Sequence, residues 1–195
     1  MKKSIFLGIS LLTASLYSSE IMYTSTVKNL FESSDSMAKK GRLLPTSKVK
    51  ILEKHGDKVK VEIEGFMKVG VSNAIYFVKG KRILVAGLSK SGKFDFKELS
   101  SSKDENGVEW KKISFTAYTK DENFTKDLSS LYSNAQGLFK DNCSICHPAH
   151  PLEEFTANQW PSMFKAMANR TAITKEQGYL VTQYLQKHAK DMKGE

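Results

Sequence analysis

The residues of this 195-residue chain with the most chemistry in their types and spacing are Cys143-Ser144-Ile145-Cys146-His147. Two thiols two residues apart, followed at once by an imidazole, have the spacing at which a c-type haem is attached. Each cysteine adds across one haem vinyl group to give a thioether. The two intervening residues set both sulfurs along one edge of the ring, and the adjacent His reaches the iron from one face. Three other chemistries use the same residue types. A structural disulfide would occupy both cysteines and leave His147 without a role. A thioredoxin-like pair expects a βαβ context, whereas the flanks here have helical spacing. Zinc would need a second Cys pair or a spaced His pair, and the sequence offers neither. The spacing therefore predicts one covalent haem c, with Cys143 and Cys146 as thioether positions and His147 as the proximal iron ligand.

A haem held by His on one face takes Met or His on the other, and Met raises the reduction potential. His150, Met163, Met167, His188 and Met192 follow the motif. His150 is only three residues from His147 and belongs on the same side. His188 falls in the last turn of a helical pattern, where a solvated cation is favourable. The run 156–161 reads as a helix start, with Thr156 as its cap and Pro161 in the first turn. Trp160, Met163, Phe164 and Met167 then share one apolar face. Met167 lies far enough past His147 for a loop to wrap beneath the haem. It is the expected distal ligand, with Met163 next, and core packing is the alternative for either thioether.

The elements that must position these residues change character along the chain. From Ile21 to about Thr119 apolar residues alternate with period two between turn signals; from about Asp127 they take helical spacing. Val59, Val61 and Ile63 alternate with Lys60, Glu62 and Glu64 after a His55-Gly56-Asp57 turn, which predicts a hairpin. Gly65 is expected to end or bulge that strand. Further strands are expected over 74–78, 83–86 and 108–117, and Tyr76, Phe77 and Trp110 are expected in a barrel core or at its rim. Lys2 and Lys3 before an apolar stretch, with small residues after it, read as a secretory signal peptide over 1–19. A retained membrane anchor is the variant of that reading. No other apolar run approaches the ~18–20 residues of a spanning helix. The net charge is +9. Export disfavours nucleic acid as the partner of this charge, and basic residues in the haem segment (Lys165, Arg170, Lys175, Lys187, Lys190 and Lys193) suit docking of an acidic redox partner.

Three resemblances add to this. Residues 27–61, with Asn29-Leu30, Val49-Lys50-Ile51-Leu52 and Gly56-Asp57-Lys58-Val59-Lys60-Val61, resemble a bacterial SH3-like domain, a class that binds peptides or cell-wall material. The segment from Asp127 to Lys190 resembles a class I cytochrome c: Phe139 stands four positions before Cys143, and Tyr179-Leu180 and Tyr184-Leu185 lie in the closing helix. The spacing from Trp160 to Met167 is similar to that of short monohaem cytochromes. The expected fold is thus α+β: an SH3-like small β barrel (20–120) followed by a small all-α class I-like cytochrome c domain (127–195), joined by a polar connector over which the two move.

The order of parts, with Phe155-Thr156-Ala157-Asn158-Gln159-Trp160-Pro161 and Tyr184-Leu185-Gln186-Lys187-His188, resembles the C-terminal part of the TorC family of pentahaem electron donors. With a single C-x-x-C-H, the chain is expected to be a stand-alone terminal haem domain. The resemblance implies a periplasmic electron carrier, not an enzyme. Its acceptor would be a molybdenum N-oxide or S-oxide reductase, such as trimethylamine N-oxide reductase, and its donor a membrane quinol-oxidising complex. The competing reading is a haem-based redox or gas sensor whose SH3-like part binds peptide or cell wall.

Overall fold

Val59, Val61 and Ile63 are fully buried, while Lys60, Glu62 and Glu64 between them are not. This alternation builds the central strand of the fold, because successive side chains of a strand point to opposite faces. The computed structural model describes residues 20–193, so the expected leader lies outside the described residues. Ten strands come first: β1 (Glu20–Thr24), β2 (Lys28–Leu30), β3 (Gly41–Leu43), β4 (Lys48–His55), β5 (Lys58–Lys68), β6 (Ala74–Tyr76), β7 (Leu84–Leu88), β8 (Lys97–Lys103), β9 (Glu109–Lys120) and β10 (Phe124–Thr125). Three helices follow: α1 (Leu128–Cys143), α2 (Trp160–Ala168) and α3 (Lys175–Lys187).

All strand pairings are antiparallel. β5 lies between β9 on one side and β4, then β6, on the other. The sheet curls into a half-barrel, and a bridge between Phe31 and Tyr118 brings the end of β2 back to β9. The expected hairpin is present: β4 and β5 are joined at Gly56, whose φ of 61° a glycine adopts without strain. Gly65 does not end its strand, as β5 runs on to Lys68. A Cβ at Gly65 would lie 2.5 Å from Ile75 Cγ2 and 2.8 Å from the Tyr76 carbonyl, so the glycine lets β6 approach. Trp110 is buried, donates from Nε1 to Asp104 Oδ2 at 2.8 Å and meets the Tyr76 ring edge-on. Phe77 stays 39% exposed. β8 carries no apolar alternation and is exposed throughout, which is why its sequence gives no strand signal.

The fold expected from the sequence is corrected in its second half. Strand accounts for 34% of the described residues and helix for 22%, and the helices do not make an all-α class I-like cytochrome domain. The physical reason is their core. Leu131, Ala135 and Phe139 of α1, Trp160 and Phe164 of α2, and Leu180, Val181, Tyr184 and Leu185 of α3 bury their side chains together, and Ile83 from the sheet region is fully buried among them. The core of the sheet is a separate cluster, and Ile83, just before β7, with Tyr23 and Val78 partly buried beside it, closes the helical core on the sheet side. Polar contacts fix the same seam. Gln183 donates to the Leu84 carbonyl at 3.0 Å, Gln186 to the carbonyls of Arg82 at 3.3 Å and Ala157 at 2.8 Å, and Lys81 pairs with Asp191 at 2.8 Å. Nor is the connector a joint, since β10 within it pairs with β1.

Candidate functional site

Helix α1 delivers the C-x-x-C-H segment. Asp127 caps its start, accepting from the Ser130 amide at 3.0 Å, and the buried stripe Leu131, Ala135, Phe139 sets its rotation. Cys143 is its last residue. The Ser144 amide still bonds the Lys140 carbonyl at 3.1 Å, so the helix unwinds just where the motif starts. Both thiols are free, Cys143 half-buried and Cys146 exposed. Burial pushes the Cys143 thiol up from its ordinary pKa.

His147 is exposed, and its Nδ1 lies 2.8 Å from the Pro148 carbonyl. A carbonyl can only accept, so this contact places the ring proton on Nδ1 and leaves the Nε2 lone pair free for a metal. His150 is tied to Glu154 at 2.8 Å and meets the rings of His147 and Phe155 edge-on. Phe155 and Phe139 both pack edge-on against Trp160. The loop after the motif thus rests on the aromatic core beneath it.

Cys143, Cys146 and His147 line a cavity of about 310 Å³ whose other wall is α2, with Met163 and Met167. The four apolar residues expected on one face of α2 divide into two rows. Trp160 and Phe164 are buried in the core and reach the cavity from it, while Met163, 41% exposed, and Met167, half-buried, line the cavity without entering the core. Each row follows i, i+4 spacing. Thr156 is not the cap of α2. Gln159 holds that position, and its side chain accepts from the Thr156 amide and hydroxyl, both at 3.0 Å.

Of the five distal candidates, His150, Met163 and Met167 reach the cavity. Met192 is buried in the helical core, and His188 caps α3 with its Nδ1 on the Tyr184 carbonyl, packed against Tyr132. His188 is therefore half-buried rather than solvated. Lys187 also leaves the expected docking patch: its Nζ donates to the Thr46 hydroxyl at 2.8 Å and lies over the Phe77 ring. Arg170, expected in the docking patch, is also at the cavity, together with Asn142 and Thr171, which the sequence did not single out.

The cavity fits a haem by its donor set: two free thiols and an imidazole on one wall, two thioethers on the other, and Phe139, Trp160 and Phe164 as apolar lining. Among the described residues no three His, Cys, Asp or Glu side chains gather as a zinc centre would require.

A family model described as the TorC third cytochrome c domain matches residues 17–124, more than half of the chain. The chain belongs to this family. The cytochrome c-type protein TorC of Escherichia coli O157:H7 is 28% identical over 179 residues, covering 91% of this chain and 46% of the relative. The cytochrome c-type protein TorY of Haemophilus influenzae is 32% identical over 152 residues, covering 77% of this chain and 41% of the relative. The chain spans less than half the length of these curated relatives. No solved structure matches it. The family is one of cytochromes, not of enzymes. Its model covers the stretch that resembles an SH3-like module, which contains no cysteine and ends before Cys143. The longer TorC alignment covers so much of the chain that it takes in the C-x-x-C-H segment wherever it starts. Among the described residues no helix is long and apolar enough to cross a membrane.

Proposed function

We propose that the chain is an exported cytochrome that carries one haem c and passes electrons to a periplasmic molybdenum N-oxide or S-oxide reductase. The observation that carries this reading is the single cavity lined by Cys143, Cys146 and His147 on one wall and by Met163 and Met167 on the other. Cys143 and Cys146 would hold the group as thioethers, His147 would bind its iron through Nε2, and Met167, with Met163 next, would bind from the far side. When bound, the group supplies a one-electron couple, and a Met opposite His sets that couple high.

The chain's own residues do the rest. Pro148 fixes the His147 tautomer, and Phe139, Trp160 and Phe164 keep water from one side of the cavity. Exposed Lys165, Arg170, Lys175, Lys190 and Lys193 would steer an acidic partner toward this edge. Residues 1–19 would serve as the export signal, 20–120 as the module that positions the haem segment, and 127–195 as the segment that carries it. The acceptor class comes from the resemblance to the TorC family, and a membrane quinol-oxidising complex is the matching donor.

The test is the visible spectrum of the exported protein, oxidised and reduced, beside a denaturing haem-stain gel. A stained band with a low-spin spectrum and the sulfur-to-iron band supports the carrier. It should then be oxidised by N-oxide reductase plus substrate. A stained band with a five-coordinate spectrum that shifts under carbon monoxide supports the sensor instead. An unstained band removes the haem and the proposal with it.

A further inference from the structure

A second cavity, of about 410 Å³, shares no residue with the first. It opens where the end of β2, the loop after it, the start of β5 and the end of β9 meet. Its inner wall holds three side chains that proteins rarely bury. Lys28 is 4% exposed, Lys58 6% and Thr119 1%. Each lysine has partners, and the Glu122 and Asp121 carboxylates also attract Lys28. Lys28 donates to the Glu122 carbonyl and lies 4.2 Å from the Phe124 ring centroid. Lys58 donates to the carbonyls of Ser34 at 2.5 Å and Ser36 at 2.8 Å and lies over the Phe31 ring. An ammonium has three N–H groups, so both retain donors beyond these bonds. The Thr119 hydroxyl has no hydrogen-bond partner, the one such buried side-chain atom among the described residues.

A buried hydroxyl without a partner destabilises the fold, and buried ammoniums do so more strongly. Three such groups around one cavity are a poor structural solution and a good receptor for an anion. Lys39 and Lys120 at the mouth add positive charge against Asp57 and Glu122, while Phe31 and the 87% exposed Met37 offer apolar wall. The volume lies in the range of small-molecule sites. Asn123 turns the chain there at φ 56°, a conformation that favours Asn and Gly over other residues.

We propose that this cavity binds a carboxylate carried on a short apolar body, with the charge between Lys28 and Lys58, the Thr119 hydroxyl donating to it, and the body against Phe31 and Met37. The carboxylate can come from a free organic acid or from the C-terminus of a peptide. The test is calorimetric titration of the full chain with benzoate, with its neutral isostere benzamide, and with N-acetyl-phenylalanyl-glycine as a chain terminus.

Benzoate should bind and benzamide should not. Tighter binding of the peptide would assign the site to a chain end, and weaker binding to a free acid. Lys28→Met and Lys58→Met keep the apolar stems, and each should weaken benzoate at least about tenfold. Thr119→Val keeps the shape and removes the unpaired hydroxyl; it should weaken benzoate several-fold while raising the melting temperature. Loss of binding with a gain of stability is not what a merely structural hydroxyl would give. Absence of benzoate binding, equal binding of benzamide, or unchanged affinity in folded Thr119→Val would overturn the proposal.

Discussion

At the scale of single residues, chemistry and packing are divided within one short helix. All four apolar residues of α2 line the cavity, but Trp160 and Phe164 are also buried in the core while Met163 and Met167 are not, although all four have the same apolar character in the sequence. The proposed distal ligand is therefore open to direct exchange. Met167→His should keep the spectrum low-spin, remove the sulfur-to-iron band and lower the midpoint potential by a sizeable part of the ~0.8 V that axial ligands span. A spectrum and potential that change with Met163→His but not with Met167→His would move the ligand to Met163. Pro148 predicts a second effect. Its carbonyl orients the His147 ring, so a change that pulls the 148–151 loop away should loosen proximal ligation without touching either cysteine, read as a high-spin fraction in the oxidised spectrum.

At the scale of elements, what the sequence made legible follows from how local each signal is. Thr174 and Gln177, three residues apart, form a capping box at the start of α3, with the Gln177 amide on Thr174 Oγ1 at 3.3 Å and the Thr174 amide on Gln177 Oε1 at 2.8 Å. The Leu180, Val181 and Tyr184 face of α3 is buried. Both depend on residues within a turn or two of each other. The seam was not legible, because Ile83 is an ordinary strand hydrophobe until the helices fold against it, and Gln183 and Gln186 look like solvated positions of an amphipathic helix. The same holds for the inner wall of the second cavity, where Lys28, Lys58 and Thr119 come from distant points of the chain. Two substitutions test the local and the distant signals. Thr174→Ala should cost about 1 kcal/mol, read from the urea midpoint. Gly65→Ala should cost more, roughly 1–3 kcal/mol, because its neighbours are the Ile75 side chain and the Tyr76 backbone.

At the scale of the whole molecule, the sheet has one hydrophobic core and the helices another, and they meet at the seam around Ile83, which is expected to couple their unfolding. The chain has two tryptophans, Trp110 in the sheet and Trp160 in the helices. Single-tryptophan variants should report coincident urea transitions, and two separate midpoints would show that the halves unfold independently. Stability should also rise with pH above neutrality. Burial pushes Lys187 down from 10.5 to about 7 and Lys28 from 10.5 to about 8. Above these values the folded chain sheds protons that the unfolded chain still binds, so the burial cost is relieved as pH rises; below about 7 it is present in full. Tyr132, pushed up to about 12 by burial, acts the other way once an unfolded tyrosine ionises near pH 10, so the rise belongs to the interval below that. The urea midpoint should climb from pH 7 to about 9, and Lys187→Met should flatten the slope.

The position of Ile83 also bears on how such a chain could be shuffled among larger proteins. A cut after residue 124, where the match to the family model ends, would strip the cover from Ile83 and from the backbone groups that Gln183 and Gln186 satisfy. The freed sheet would be adhesive rather than inert. Recombination that reuses the strands without these helices must bring a replacement cover, or a polar residue at position 83, in the same step. The haem segment is thus inherited with its scaffold as a pair.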